Sequence, residues 1–425
     1  MTDKKSEVID RELAINAYST DASGISNNPI SVFTPTTDEE LRKIVHENHN
    51  ITIRGGGSGV VGGCVPSEGS VVVDLSKMDK ILDVDINKKV VYVQAGIILN
   101  DLNQELSKYN LEFPINPQSG SICTIGGMIA TNATGPRSAK YKRVADHVLE
   151  IEIIDGHSKV VKLGRIDASN VVGMEGITGI IYSAKLKVID KPKRSLTVYR
   201  SADLLKIIDL SRTLKMDNQV SMIHLISPML SEILGLSRIN HLFIEFESDR
   251  GDIKGDIYNN KIRIIDDLYK NASLSGYVRV EDPRVFLDRL IEVANYLDSQ
   301  KIPYHANLGI GLVNPLFSAN DFSAINDLRL FVKKIRGNIA GTFGFGKTKK
   351  NFMDINDKKL AQRIKKRYDP NNKLNRGVIV DLDEKLGLPT KESIAEIIKK
   401  IDEEEEKKEE EIINKVISGE EIKNG

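Results

Sequence analysis

Arg54-Gly55-Gly56-Gly57-Ser58-Gly59-Val60-Val61-Gly62-Gly63 is the stretch on which the reading of this chain turns. It follows Ile51–Arg54, a short β-branched run that reads as a strand. Glycines reach φ > 0 without a steric penalty and let several backbone N–H groups point into one concavity. That geometry suits a diphosphate, and Ser58 adds a hydroxyl donor. A single glycine cluster of this kind is more often a plain turn. Here two more follow: Pro117-Gln118-Ser119-Gly120-Ser121-Ile122-Cys123-Thr124-Ile125-Gly126-Gly127, running on to Ala133, and Glu175-Gly176-Ile177-Thr178-Gly179-Ile180-Ile181. Three separated loops of small and hydroxyl-bearing residues indicate a long cofactor threaded between several strands.

Around these loops, residues from about Ser31 to Val188 alternate strands and helices. Glu39–His49 reads as a helix opened by Thr37 and Asp38, whose side chains accept from free N–H groups. Ser70–Asp74, Val90–Gln94, Val148–Ile154 and Ile180–Ile189 read as strands rich in Val and Ile. Lys191-Pro192-Lys193-Arg194 marks a boundary. Beyond it, Ala202–Leu214, Pro228–Leu234, Asp256–Lys270, Pro283–Ser299 and Phe322–Arg336 are expected as helices and Leu242–Glu247 as a strand, a second α+β unit. In Lys391–Gly425 twelve acids face seven bases. Isoleucines at helical spacing there read as a solvated helix or as a docking arm for a partner.

At 425 residues the chain exceeds the roughly 250–300 at which one core stops growing, so more than one domain is expected. Lys+Arg 60 against Asp+Glu 60 leaves no net charge, which argues against general binding of nucleic acid or anionic membrane. No apolar run approaches the 18 or so residues of a transmembrane segment, and the polar start carries no secretory h-region. A soluble, cytoplasmic protein is expected. Two cysteines, Cys64 and Cys123, cannot build a cluster of their own and read as small packing residues.

With these loops in order, the chain resembles FAD-linked oxidases of the vanillyl-alcohol oxidase fold, with its PCMH-type FAD-binding domain, in the glycolate oxidase/D-lactate dehydrogenase branch. Arg54–Pro66 is similar to that branch's first FAD loop, Cys123–Tyr141 to its second, and Glu175–Ile181 to its third. Tyr368-Asp369-Pro370-Asn371-Asn372-Lys373-Leu374-Asn375 is similar to the loop that returns toward the flavin. The resemblance implies an α+β fold with a two-part FAD-binding domain (12–190, completed by 331–385), an inserted α+β cap (191–330) and a charged helical tail (386–425). It implies Arg54 and Gly55, Gly56, Gly57, Ser58 and Gly59 about the pyrophosphate. Pro117, Ser119, Ser121, Thr124, Gly126 and Gly127 would run along the ribityl and diphosphate. Asn132, Tyr141, Glu175, Gly176, Gly179 and Asn375 complete the cofactor set, with Ile180 bonding the adenine side through its backbone. Ser58 stands where relatives often carry a tethering His, so the FAD is expected to be non-covalent.

The branch's reaction site usually combines a divalent metal with a base. Here its first motif aligns to His305-Ala306-Asn307-Leu308-Gly309-Ile310-Gly311-Leu312, which keeps one imidazole, and its second to Thr342-Phe343-Gly344-Phe345-Gly346. One His is a poor transition-metal site, so no metal is expected. His305 reads as either an ordinary hydrogen-bonded residue or a base, with Tyr304 beside it. Arg376 or Arg279 offers a guanidinium fork for a carboxylate, Arg376 being placed next to the returning loop. The resemblance thus implies oxidation of a small 2-hydroxy acid with electrons passed to an acceptor other than NAD. The alternative is a flavin-carrying relay or structural subunit. It also implies an iron–sulfur partner subunit, touched in part by Lys391–Ile417, through which the protein would reach a membrane if at all.

Two short patterns compete. Gly341-Thr342-Phe343-Gly344-Phe345-Gly346-Lys347-Thr348 fits GxxxxGK[ST], but it lacks the strand before and the helix units after that a nucleotide domain requires. The sequons at Asn132 and Asn271 are short, and the first lies inside an expected FAD loop.

Overall fold

The first glycine loop leaves the end of a parallel strand. Strands β1 (Glu7–Ile9), β2 (Val32–Thr34), β3 (Ile51–Arg54) and β4 (Val71–Asp74) form one sheet in the order β1-β2-β4-β3. Both β2 and β3 run parallel to β4. The structure, a computed structural model, describes residues 7–9, 15–384 and 386. The helix Asp38–Glu47 opens at Thr37, whose hydroxyl accepts from Glu40 N at 3.2 Å, and it buries Leu41, Ile44 and Val45. The margin of β3 is closed by the far end of the chain. Ile51 N donates to Lys373 O and Asn375 N to Ile51 O, both at 2.8 Å.

Next come β5 (Ile81–Asp85), β6 (Val90–Gln94), β7 (Leu111–Glu112), β8 (Val148–Ile154), β9 (Val160–Gly164), β10 (Ile180–Lys187) and β11 (Ile189–Asp190). An antiparallel sheet runs β5-β6-β10-β8-β9, while β7 pairs with β11. One core joins these sheets, through Val73, Val91, Val93, Ile151, Ile153, Ile180 and the helix residues Leu102 and Met128.

The third sheet is built from β12 (Ser195–Ser201), β13 (Val220–Ile226), β14 (Asn240–Phe246), β15 (Arg279–Val280), β16 (Tyr304–Asn307) and β17 (Leu312–Phe317), ordered β12-β14-β13-β16-β17-β15. Alternation sorts its side chains between two faces. Ile223, Leu225, Tyr304, Ala306, Val313 and Phe317 pack on helices Leu204–Leu214, Leu290–Ser299 and Phe322–Lys334. Met222, Ile226, Phe243 and Leu316 face the opposite way, against helices Gly255–Asp266 and Leu268–Leu274. The elements as far as Leu382 form one compact unit. The expected α+β architecture is what the structure shows.

Two helices differ from the sequence reading. The run Asp256–Lys270 is two helices that meet at Asp267 (φ −94°, ψ 11°), so that Ile265 and Leu268 both reach the sheet. The helix expected from Pro283 begins only at Leu290. Its first residues are drawn into bridges instead: Arg284 N donates to Asn338 O at 2.7 Å and Val285 N to Gly311 O at 2.9 Å. The isoleucine-striped segment Lys391–Ile417 lies outside the described residues.

A buried charge cluster ties the second glycine loop's exit to the third sheet. Arg137 grips Glu245 with Nε at 2.8 Å and Nη2 at 3.2 Å. Tyr258 and Ser221 hydroxyls donate to the same carboxylate, each at 2.6 Å. Arg194 reaches Glu112 on β7 as well as Glu245. Burial opposes a charge on Glu245, yet the Arg137 guanidinium and the surrounding donors override it and hold the carboxyl down at about 2. A depressed folded-state pKa contributes stability that is present above the unfolded value and lost as pH falls through the folded one. Stability equivalent to roughly 3 kcal/mol should therefore disappear between about pH 4.5 and pH 2. Glu245→Gln strands Arg137 and should cost about 3–5 kcal/mol at neutral pH in urea unfolding. It should also flatten that part of the acid limb.

Candidate functional site

The three glycine loops line one cavity of about 550 Å³. Gly55, Gly56, Gly57, Ser58 and Gly59 come from the end of β3. Pro117, Ser119, Ser121, Thr124, Gly126 and Gly127 come from the second loop, and Glu175, Gly176 and Gly179 from the third. The glycines are required by close approach. A Cβ on Gly55 would stand 2.4 Å from the Thr124 hydroxyl, and one on Gly56 would stand 1.7 Å from the Ile122 carbonyl oxygen. The first two loops are thus pressed backbone to backbone, leaving a groove wall with hardly any side chains. Asn375 also lines the cavity and locks the arrangement. Its Oδ1 accepts from Ile53 N at 2.8 Å and its Nδ2 donates to Glu175 O at 2.6 Å. A wall of this kind fits a dinucleotide's phosphates and sugars, with the ring end left to the rest of the cavity.

Opposite the glycine wall lies the third sheet. His224 on β13, His305 and Asn307 on β16 and Asn314 on β17 interrupt its apolar face and line the cavity. The rings of His224 and His305 stack with centroids 5.0 Å apart and planes inclined by 22°. His305 Nε2 is 3.1 Å from the Tyr269 hydroxyl, while its Nδ1 and both nitrogens of His224 have no hydrogen-bond partner. Burial pushes His224 down to about 3 and His305 well below its ordinary value, so both rings are neutral at neutral pH. Burial likewise raises the Tyr269 phenol, which keeps its proton.

Several predicted residues lie elsewhere. Tyr304 is on the opposite face of β16 from His305, buried among Leu225 and Val313, because strand neighbours alternate sides. Arg376 turns away from the cavity, giving Nε to Asn372 O and Nη2 to His49 O. Arg279 does line the cavity rather than facing solvent. Its guanidinium, however, donates to the carbonyls of Ser23 and Ala319 and covers the Phe322 ring at 4.3 Å. Among the cofactor residues, four do not line the cavity. Arg54 bonds Thr20 O, and Asn132 caps a helix end at φ 50° while accepting from Ala145 N. Tyr141 donates to Glu247, and Ile180, expected to bond through its backbone, sends its side chain into the core.

The segment that imitates a phosphate-binding loop has its amides occupied by the protein itself. Thr342 N and Phe343 N donate to Asp282 Oδ2 at 2.5 and 2.7 Å. Phe345 N and Gly346 N donate to Glu175 at 2.7 and 2.9 Å. Lys347 Nζ points to the carbonyls of Val65 and Pro66. Four amides held by two carboxylates leave no cradle for a phosphate. Burial pushes Glu175 up to about 7 against the pull of those amides, and Lys349, buried with Asp282, supplies the nearby positive charge.

Sequence reasoning missed His224, Tyr269, Asn307 and Asn314. The signal was available in Ile223-His224-Leu225, Tyr304-His305-Ala306-Asn307 and Leu312-Val313-Asn314. Polar residues at every second position of otherwise apolar strands mark a face that meets something polar.

Residues 29–164 match the FAD binding domain family. The chain therefore carries an FAD-binding domain. It is 36% identical over 176 residues to D-lactate dehydrogenase of Anaerostipes hadrus, covering 38% of this chain and 37% of that protein. It is 32% identical over 203 residues to glycolate oxidase subunit GlcD of Bacillus subtilis (strain 168), covering 44% and 43%. A third relative is D-2-hydroxyglutarate dehydrogenase of Xanthomonas citri pv. viticola, at 28% over 181 residues, covering 40% and 38%. The matched part is about two fifths of the length of these curated relatives. In fold the chain is similar to alkyldihydroxyacetonephosphate synthase, with a TM-score of 0.63 at 19% identity, covering 87% of this chain and 81% of that one.

Gly56→Ala should separate the first two loops, because the added methyl overlaps the Ile122 carbonyl. Overpacking of this kind costs about 1–3 kcal/mol, so reconstitution of the apoprotein should need roughly 5- to 150-fold more FAD. Gly164→Ala, at a site with open space around it, should titrate like the wild type in the same flavin fluorescence assay.

Proposed function

We propose that this chain is an FAD-dependent oxidoreductase that oxidises a small 2-hydroxy acid and passes the electrons to an acceptor other than NAD. The observation that carries the reading is the pairing, across one cavity, of a glycine-walled cofactor groove with a floor of neutral imidazoles. The names of the D-lactate, glycolate and D-2-hydroxyglutarate relatives point to the same substrate class.

In this reading Gly55–Gly59 hold the pyrophosphate, and Ser119, Ser121, Thr124, Gly126 and Gly127 hold the ribityl and diphosphate. Bound there, the flavin supplies a hydride acceptor for the hydrogen on the carbinol carbon. The hydroxyl proton goes to His305 Nδ1. When Nε2–H donates to the Tyr269 oxygen, Nδ1 keeps a lone pair that no group of the protein uses. Burial keeps that imidazole neutral, so its Nδ1 lone pair is free, while the same burial disfavours the imidazolium and favours passing the proton onward. The product is the 2-oxo acid. Tyr304 and Arg376 have no part in this step, since neither reaches the cavity.

The flavin is held without a covalent bond. Ser58 offers no tether, and burial raises the thiols of Cys64 and Cys123 to about 11, so neither is a ready nucleophile. The domain division follows the sequence: an FAD-binding part over 12–190 and 331–385, a cap over 191–330 and a tail from 386. An iron–sulfur subunit is the proposed electron acceptor, in keeping with the word subunit in the name of the glycolate oxidase relative. Among the described residues no helix is long and apolar enough to cross a membrane. We place the protein in the cytoplasm, reaching a membrane only through a partner, since its balanced charge gives no electrostatic pull toward anionic lipid.

A second reading, a flavin-carrying relay subunit, is favoured by Leu312, Thr342 and Phe343 standing where the resembled motifs carry ligands. Anaerobic mixing of the FAD-loaded chain with D-lactate, glycolate and D-2-hydroxyglutarate separates the two. Bleaching of the flavin band by at least one acid is expected. Bleaching by none of them, together with bleaching by reduced partner protein, supports the relay.

A further inference from the structure

We infer that the substrate's oxygens are held directly by the His224–His305 pair, with His224 as the anchoring residue and no divalent ion bridging protein and substrate. The inference rests on the 2-hydroxy acid reading and goes further, to how the acid is gripped. It begins with an imbalance of hydrogen bonds. Asn307 is fully engaged: Nδ2 donates to the carbonyls of Gly135 and Pro136, each at 3.1 Å, and Oδ1 accepts from Gly309 N. Asn314 Nδ2 donates to Glu281 O. His305 uses one nitrogen on Tyr269. His224, almost wholly inaccessible to solvent, has neither nitrogen satisfied. Leaving such a group buried and unpaired costs about 1–3 kcal/mol, which a ligand bearing oxygen atoms would recover.

The two arginines able to grip a carboxylate are engaged elsewhere. Arg279 is turned to the Ser23 and Ala319 carbonyls and Arg376 to those of Asn372 and His49. Lys270 lines the cavity as well, but it is exposed, so solvent competes for its ammonium. The floor therefore recognises oxygen through imidazole N–H groups and lone pairs. A neutral ring offers one of each, matching a carboxylate oxygen and a hydroxyl.

The donor set does not fit a bridging metal. Imidazole lone pairs lie in the ring plane, and two rings inclined by only 22° at 5.0 Å run theirs side by side instead of converging on one ion. Among the described residues no group of three or more His, Cys, Asp or Glu side chains could hold a metal. The positions that would complete such a set by resemblance hold Leu312, Thr342 and Phe343, and the amides of the last two are bound to Asp282.

The test uses oxalate, a non-reactive dianion with the same paired oxygens, titrated into the FAD-loaded chain by flavin difference spectroscopy and calorimetry. The wild type should bind it equally well before and after exhaustive chelation. His224→Leu should weaken oxalate at least roughly tenfold with flavin content and thermal midpoint maintained, since an apolar ring-sized replacement removes an unsatisfied group. His224→Gln, which keeps a donor, should restore affinity to within about threefold of wild type. With any acid that turns over, His224→Leu should raise KM more than it lowers kcat. Unchanged oxalate affinity in His224→Leu, no oxalate binding by the wild type, or binding lost on chelation and restored by zinc or manganese overturns the inference. Failure of every 2-hydroxy acid to bleach the flavin, with His224-dependent oxalate binding intact, instead removes the oxidation reading and leaves the anion grip standing.

Discussion

Four backbone amides ending on two buried carboxylates hold this molecule in its working shape. Thr342 and Phe343 donate to Asp282, which sits just beyond β15 of the third sheet. Phe345 and Gly346 donate to Glu175, in the third glycine loop. One short segment is therefore pinned at one end to the sheet that carries the histidines and at the other to the glycine wall. Buried carboxylates are costly unless amply hydrogen-bonded. Each is also close to Lys349, whose ammonium pairs with Asp282 and with Glu281. The two walls can face each other at a fixed spacing because this segment cannot drift without leaving buried amides and carboxyls unpaired.

The same constraint explains why a phosphate-loop spelling carries no phosphate site. The glycines at 344 and 346 adopt φ of 85° and 52°, conformations that turn successive amides inward, as a true phosphate loop does. Here the anions that meet those amides are the protein's own. A glycine-rich pattern specifies a concave backbone, and only the surrounding residues decide whether the anion in it is a ligand or a side chain.

That distinction also marks what the sequence could and could not disclose. The glycine wall was legible because its requirement is local. Gly55 and Gly56 are glycines for want of room beside Thr124 and Ile122, and such closeness leaves a cluster in one dimension as well as in three. The floor depends on long-range pairing: His224 meets His305 only because β13 lies beside β16, with His224 opposite Asn307. The resembled motif drew attention to 304–312 and, with it, to Tyr304, whose neighbour faces the cavity while it does not. Arg376 was named for its nearness in sequence to Asn375, yet the chain turns between them at Asn375, where φ is 43°. Nearness along a chain says little about direction once a residue adopts a left-handed conformation.

The floor and the wall are stabilised in opposite ways, and this bears on how such a site tolerates change. The wall is backbone against backbone, so any side chain added to it displaces a whole loop. The floor is a strand face in which polar side chains stand at alternate positions and can be exchanged without moving the sheet. Leu312 can therefore occupy a cavity-lining position opposite Asn307 with the ladder between β16 and β17 intact. A cofactor site of this construction stays fixed while the chemistry facing it is free to vary. Residues 29–164, which match the FAD binding domain family, hold the first two glycine loops, whereas Leu312, Thr342 and Phe343 line the cavity from beyond that stretch.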